Sequence, residues 1–251
     1  KDIKLIYTYN ERLFLLKKLG VNAVINSKFN EEFKNITANE FAEKLHNSFK
    51  IKHILCGYDF NFGHSAEGNA VFLKSFFNKH NIKVDVMPEI TYGGVRVSST
   101  AIRELLIKGD IENANILLGE PYFVTGSVTY GEKIGSKLLY PTINIMPDAE
   151  KIKLRDGVYC TTTEIDGKIY KSVTNCGGKP TFDSDKYKIE TYIIDYEGNL
   201  YNKNVKINFL QFLRDLIKFD NAEDLKKQIA ADIEKTNYVF NNNYLNLSGV
   251  L

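Results

Sequence analysis

Six short segments with the composition of β-strands follow one another between residues 122 and 210, and no long helical pattern separates them. The turns between them contain Gly, Asp and Asn, and they include Asp166-Gly167, a pair typical of tight hairpin turns. Closely spaced strands of this kind favour a small closed antiparallel barrel. The six segments are YFVTGSV, TINIM, GVYCTTTEI, KIYKSVTN, KIETYIIDY and NVKINFL.

Residues 1–119 show a different pattern, in which helical and strand-like segments alternate. Ser98 or Ser99 precedes the helical segment AIRELLIK, and Gly109 follows it as a helix-ending residue. Strands separated by helices indicate parallel βαβ units, so we expect a doubly wound, Rossmann-like sheet here. Its predicted strands are NAVINS, IKHILCG and IKVDVMPE.

The change of pattern predicts two domains, 1–120 and 121–251. The first domain is α/β, and the second is a six-stranded antiparallel β-barrel. A single C-terminal helix that begins near Asp220 or Asn221 carries apolar residues on one face, so we expect it to pack on the barrel.

Composition and charge are those of an ordinary globular chain, with 43% hydrophobic residues, 25% charged residues and a net charge of +2. This balance argues against a large surface of one sign, so a nucleic-acid partner is not expected. The three cysteines are widely separated, which predicts a reducing, cytoplasmic location. No apolar run approaches the ~20 residues of a membrane span. The sequence does not indicate an oligomeric state.

The stretch GSVTYGEKIGSKLLYPTIN is unusually rich in glycine for a strand region. Gly126, Gly131 and Gly135 lie among β-forming residues, with Lys133 between the last two. Glycine permits close approach of the backbone to a ligand, and such loops can hold phosphates with their N–H groups. The spacing matches neither the Walker loop nor GxGxxG, so a glycine-rich β-hairpin explains it equally well.

Thr142 and Asn144 close the same stretch and are two residues apart. On an extended strand they share one face, where a hydroxyl and an amide could hold Mg²⁺ and phosphate oxygens. Ordinary strand polarity is the alternative explanation.

Motifs in both halves resemble one family, the bifunctional bacterial FAD synthetases, over nearly the whole chain. Five segments resemble the riboflavin kinase module: GSVTYGEKIGSKLLYPTIN, GVY (157–159), NCGGKPTF (175–182), IETYIIDY (189–196) and FLRD (212–215). Three segments resemble the FMN adenylyltransferase module: GYDFNFG (57–63), VSSTAIRELL (97–106) and LLGEPY (117–122). The resemblance implies small-molecule substrates: ATP phosphorylates riboflavin to FMN, and a second ATP adenylylates FMN to FAD.

For the kinase half, the resemblance implies that the three glycines and Lys133 contact the ATP phosphates and that Thr142 and Asn144 hold Mg²⁺. Glu190 would be the general base that accepts the proton of the ribityl hydroxyl, although a strand Glu can equally face solvent. Leu216 stands where the family usually has Glu, which leaves the role of that acid open. The residues implied on the flavin side are Asn175, Thr181 and Arg214, for which turn or ion-pair roles are the alternatives.

For the adenylyltransferase half, the resemblance implies an ATP site at a helix start, where N–H groups, hydroxyls and a guanidinium suit triphosphate oxygens. Plain helix capping is the alternative. The implied ATP-binding residues are Ser98, Ser99, Thr100 and Arg103. Asp59 and Phe62 would lie near the flavin or nucleotide, although Phe62 could instead be a core residue. The family's usual Arg is replaced by Asn61.

The family's opening Gly-Phe-Asp-Gly turn and His-x-Gly-His motif do not occur in this sequence. Its histidines are His46, His53, His64 and His80, and none has that spacing. We therefore expect the intact protein to begin about 60 residues before Lys1, the length that such elements need. The rival interpretations are a kinase-only protein with a degenerate N-terminal scaffold and a small-barrel nucleic-acid binder.

Overall fold

A computed structural model describes residues 3–129, 140–177 and 187–242. Packing divides the chain into two compact units: Val21–Val97 forms the smaller, and Lys1–Gly20 joins Ser98–Leu251 in the larger. The predicted module boundary near residue 120 stays a prediction, because compact packing does not have to follow family modules. Within the described ranges, no helix is long and apolar enough to span a membrane.

The described part of the first 120 residues alternates helices with short strands. The helices are α1 Tyr9–Lys18, α2 Glu31–Lys34, α3 Ala38–Ser48, α4 Ala70–Asn78, α5 Ser99–Lys108 and α6 Ile111–Leu118. The strands are β1 His53–Gly57, β2 Asn61–Phe62, β3 Gly68–Asn69, β4 Lys83–Met87, β5 Thr91–Tyr92 and β6 Val95–Arg96.

A parallel strand pair organises the smaller unit. β1 pairs with β4 from His53 opposite Lys83 to Gly57 opposite Met87, and α4 lies between them in sequence. Parallel strands require such a crossover, so the predicted α/β class is confirmed. The predicted strand NAVINS is wrong: residues 22–27 contain no strand, and Val24 and Ile25 are exposed instead of paired.

The second half forms the predicted barrel. Its strands are β7 Phe123–Thr129, β8 Thr142–Ile145, β9 Gly157–Ile165, β10 Lys168–Gly177, β11 Lys188–Ile193 and β12 Asn204–Arg214. They close in the order β10-β11-β8-β7-β12-β9, and every pairing is antiparallel. Asp166 and Gly167 both have positive φ, which suits the tight turn between β9 and β10. Helix α7, Ala222–Asn242, packs on β9 and β10.

The interior of the barrel combines apolar side chains with a chain of hydroxyls. Thr174 lies at its centre, with its Oγ1 atom 2.8 Å from the hydroxyl of Thr161 and 2.9 Å from that of Thr191. Ser172 extends the chain, 2.8 Å from Thr161. All four residues have no exposed surface, and their mutual hydrogen bonds offset the cost of burying polar groups.

A buried ion pair attaches α1 to the barrel. The Glu11 carboxylate accepts hydrogen bonds from the backbone N–H and the hydroxyl of Thr125, at 2.9 and 3.0 Å. It also pairs with Lys151, and both charged side chains are almost completely buried. Burial lowers the pKa of Lys151 to about 8. Residues 3–18 are therefore part of the barrel unit through charge as well as apolar packing.

Candidate functional site

One row of directly paired residues crosses the barrel sheet. Asn144 on β8 pairs with Glu190 on β11, which in turn pairs with Asn175 on β10. The row continues through Val158 on β9 to Arg214 on β12. Directly paired residues of antiparallel strands share a face, with Cβ atoms about 5 Å apart. Four residues proposed from the sequence therefore lie in one row, which we call the polar row.

The polar row lies on the outer face of the barrel. Ile145, next to Asn144 in sequence, is fully buried and pairs with Ile189. Because side chains alternate along a strand, the face with Ile145 and Ile189 points into the barrel and the face with Asn144 and Glu190 points outward. Thr142 pairs with Tyr192, and like Asn144 it points outward. Thr142 and Asn144 thus share a face, as their spacing predicted.

Glu190 occupies the middle of the row between two amides. Its side chain is partly exposed, whereas Asn144 beside it is only 9% exposed. Within the described ranges, no hydrogen bond or ion pair uses the Glu190 carboxylate. An unengaged carboxylate next to a hydroxyl and two amides can accept a proton from a bound hydroxyl group.

Two tyrosines that the sequence interpretation did not single out lie beside Thr142. The rings of Tyr140 and Tyr192 meet edge to face, with centroids 5.2 Å apart. Desolvation raises the pKa of Tyr192, so its phenol stays protonated near neutral pH. A signal was present in the sequence, because Tyr192 is two residues from Glu190 and strand alternation places both on one face.

A pocket of about 330 Å³ is lined in part by Thr142, two residues from the Asn144 end of the polar row. Its wall is largely apolar, and residues of the β11–β12 connection contribute to it. Val128, Pro141, Thr142, Ile193, Tyr196 and Leu200 are among its lining residues. Apolar pockets with a few polar groups at one end are typical of small-molecule sites.

Gly126 points into the barrel and is not part of the outer face. A Cβ atom at this position would lie 2.3 Å from Cγ2 of Ile145, so packing alone requires glycine. The other residues proposed for the phosphate loop, Gly131, Lys133 and Gly135, lie outside the described residues, as does Thr181.

Arg214 ends the polar row and is held by helix α7. Its guanidinium donates to both carboxylate oxygens of Asp232, and its side chain is 15% exposed. The next residue, Asp215, forms an ion pair of 2.7 Å with Arg155. Sequence reasoning missed Asp232, because the contact joins two elements whose packing is not encoded locally.

The residues proposed for ATP binding by the first half lie at the start of α5 in the larger unit. The Ser98 hydroxyl caps the helix by accepting the Ala101 N–H at 3.2 Å. Ser99 and Thr100 are exposed in the first turn. The Nε atom of Arg103 donates to the carbonyl of Lys4 at 2.8 Å, which leaves its terminal N–H groups for other partners.

In the smaller unit, the two residues proposed from GYDFNFG have different surroundings. Asp59 is exposed, and its carboxylate accepts a hydrogen bond of 2.6 Å from Arg96. Phe62 is only 8% exposed and packs between Phe41 and Phe72, at centroid distances of 5.0 and 5.8 Å. This burial favours a core role for Phe62.

Two protein-family models match the chain. The model described as riboflavin kinase matches residues 118–240, and the model described as FAD synthetase matches residues 1–101. The first match contains the whole polar row.

Similar proteins cover most of the chain. Proteins named bifunctional riboflavin kinase/FMN adenylyltransferase from Haemophilus influenzae and Buchnera aphidicola are each 33% identical to it. The two alignments cover 92% and 95% of this chain, and 75% and 78% of those proteins. A crystal structure described as a macrolide-efflux protein from Streptococcus pneumoniae is 31% identical, with a TM-score of 0.84 over 92% of this chain and 75% of that one. That structural match compares folds, whereas the curated relatives and family models carry the functional information.

Proposed function

The chain belongs to the bifunctional riboflavin kinase/FMN adenylyltransferase family, and we propose that the polar row of its barrel is where ATP phosphorylates riboflavin. Membership makes it an enzyme of flavin biosynthesis with kinase and nucleotidyltransferase activities. ATP and flavins are therefore its small-molecule substrates.

The observation that carries the proposal is the direct pairing of Asn144 with Glu190. Phosphoryl transfer needs phosphate-holding groups next to a base that can reach the attacking oxygen. In the proposed arrangement Thr142 and Asn144 contact the phosphate end of ATP. Glu190 then accepts the proton of the terminal ribityl hydroxyl as its oxygen bonds to the γ-phosphorus. The bond from that phosphorus to the bridging oxygen breaks, and ADP leaves.

Mg²⁺ fits the donor set at this end of the row. The neighbouring groups of Thr142, Asn144 and Glu190 are all oxygen donors, which hard divalent cations prefer. Among the described residues, no group of three or more His, Cys, Asp or Glu side chains could hold a metal, so the ion would be shared with substrate phosphates. When bound, Mg²⁺ would neutralise charge on those phosphates.

The flavin side of the reaction is proposed at the other end of the row, at Asn175 and Arg214. The terminal hydroxyl must reach Glu190, so the rest of the flavin extends away from Asn144. Thr181 and the loop residues Gly131, Lys133 and Gly135 remain proposals from the resemblance, as does any role of Gly126 towards ATP beyond its packing.

For adenylyl transfer, we propose that Ser99, Thr100 and the terminal N–H groups of Arg103 contact ATP at the start of α5, with Ser98 holding that helix start in place. Exposed backbone N–H groups and hydroxyls at such a position bind anions. In the smaller unit, Asp59 is proposed as a polar contact of the flavin or nucleotide. Phe62 is proposed to support the GYDFNFG loop by packing in the core.

We also propose a cytoplasmic location, which is supported by three free cysteines. Free thiols persist in a reducing compartment. Burial raises the pKa of both Cys160 and Cys176 to about 12, so neither is a reactive thiolate.

The deciding experiment follows riboflavin, FMN and FAD by chromatography after incubation with ATP, with Mg²⁺ or with a chelator. We expect FMN and ADP to form in equal amounts, and only with Mg²⁺. FMN without FAD would leave the kinase proposal intact, because this sequence does not contain the His-x-Gly-His motif of the adenylyltransferase module. Binding of riboflavin without ADP release would contradict the proposed kinase site.

A further inference from the structure

We propose that Asp232 on helix α7 is a positioning residue for the kinase reaction, because it fixes the Arg214 guanidinium where it can contact the flavin. This inference rests on the proposed function of the polar row. It concerns recognition of riboflavin rather than ATP.

The contact between Arg214 and Asp232 is bidentate and largely buried. Nε of Arg214 lies 2.9 Å from Oδ1 of Asp232, and Nη2 lies 2.7 Å from Oδ2. Asp232 is only 2% exposed, and Gln228 one helical turn earlier donates to its Oδ1 at 3.0 Å. A planar guanidinium held through two parallel hydrogen bonds has a fixed orientation, which a lysine could not copy.

The Arg214 guanidinium has N–H donors that the contact with Asp232 does not use. Besides the bonds to Asp232, its Nη1 donates to the backbone carbonyl of Asp215 at 3.0 Å. An arginine carries five N–H groups, so these contacts leave one N–H on each terminal nitrogen. Among the described residues no further acceptor uses them. A flavin presents ring carbonyls and ribityl hydroxyls, which can accept such hydrogen bonds.

Docking of α7 does not by itself explain the pair. The helix has other anchors, because Asn237 accepts a hydrogen bond of 3.2 Å from Lys171 and Ile233 packs with Val158 and Val173. A buried ion pair often stabilises a fold no better than apolar residues of similar volume, since desolvation of both charges offsets their attraction. What the pair adds is a defined direction for Arg214.

The position of Arg214 in the polar row indicates which substrate should bind more weakly when the guanidinium loses its orientation. Val158 separates it from Asn175, and Asn175 separates it from Glu190. At about 5 Å for each pairing, the guanidinium is on the side of the base opposite to Asn144. Loss of its orientation should therefore weaken riboflavin binding and leave the ATP end unaffected.

The test compares Asp232→Asn and Arg214→Lys with a matched control on the same helix, Asn237→Ala. Riboflavin affinity is measured by flavin fluorescence without ATP, and KM values for riboflavin and ATP are measured by FMN formation. For both test variants we expect the dissociation constant and KM of riboflavin to rise about tenfold, the typical effect of one charged hydrogen bond. KM for ATP and the control should stay at wild-type values.

Equal weakening by Asn237→Ala would show that α7 docking, and not Arg214 orientation, is responsible. A lower Tm for Asp232→Asn with unchanged riboflavin affinity would also overturn the inference. If Asp232→Asn does not fold, Arg214→Lys decides, because it keeps the charge and loses only the planar fork. If the wild type binds riboflavin without making FMN, the proposed function fails, and the fluorescence titration still decides this inference.

Discussion

Asn144 and Glu190 are directly paired across β8 and β11, on the outer face of the barrel. The amide is nearly buried and the carboxylate is partly exposed. This relationship places the proposed phosphate-holding amide directly beside the proposed proton acceptor. Strands hold such groups more precisely than loops do.

Glu190→Gln should nearly abolish FMN formation while leaving ATP binding intact. The amide keeps the size of the side chain but cannot accept the proton, and loss of a general base costs about 10²–10⁴-fold in turnover. Steady-state FMN formation and ATP titration measure the two effects. Glu164→Gln is the matched control, a strand glutamate whose partner is Lys206 at 3.5 Å. If Glu190→Gln retained more than about a tenth of wild-type turnover, the base would lie elsewhere.

Asn144→Ala and Thr142→Ala should raise the Mg²⁺ and ATP concentrations needed for half-maximal FMN formation, by about tenfold each. The reason is loss of oxygen donors at the phosphate end of the row. Asn208→Ala is the control, because Asn208 is also 9% exposed but bonds Thr162 at 3.0 Å. Equal Mg²⁺ requirements for Asn144→Ala and Asn208→Ala would remove Asn144 from the site.

Lys151→Met leaves the Glu11 carboxylate buried without its cation, so this variant should be about 3 kcal/mol less stable than a protein in which that carboxylate is also removed. The double variant Glu11→Gln/Lys151→Met should recover most of that loss, since the amide still accepts from Thr125. Urea unfolding of the wild type, the two single variants Glu11→Gln and Lys151→Met, and the double variant gives the coupling energy. Additive losses would mean that Glu11 and Lys151 do not interact energetically.

The same pair predicts a pH dependence. The folded-state pKa of Lys151 is lowered to about 8, against 10.5 for an unburied lysine, so the unfolded chain binds more protons between these values. Stability therefore rises with pH in this window, and the contribution is lost as pH falls through 8. Relative to the double variant, the wild type should gain about 1 kcal/mol from pH 8 to 9. An unchanged difference between the two proteins would contradict this assignment.

Thr174→Val should destabilise the barrel by about 1–3 kcal/mol, because it leaves the hydroxyls of Thr161 and Thr191 without their shared partner. Tyr122→Phe is the contrasting variant, since that buried hydroxyl has no hydrogen-bond partner among the described residues. We expect Tyr122→Phe to be neutral or stabilising. Urea unfolding compares the two, and equal losses would show that the hydroxyl chain contributes nothing specific.

Local features of the fold could be predicted because their causes lie within a few residues. The six barrel strands follow from alternation, and the start and end of α5 follow from Ser98 and Gly109. Strand alternation also places Thr142 and Asn144 on one face. The strand predicted for NAVINS was wrong because apolar composition alone does not supply a partner strand.

Patterns within the sequence predict the fold class, the strand segments and the residue types available for phosphoryl transfer. Which of these residues are neighbours depends on tertiary packing. Register between strands distant in sequence set Glu190 beside Asn144, and helix packing set Asp232 against Arg214. The Glu11–Lys151 pair, 140 residues apart, is a further case. Such contacts depend on how whole faces pack and bury charge, and no short-range pattern encodes that geometry.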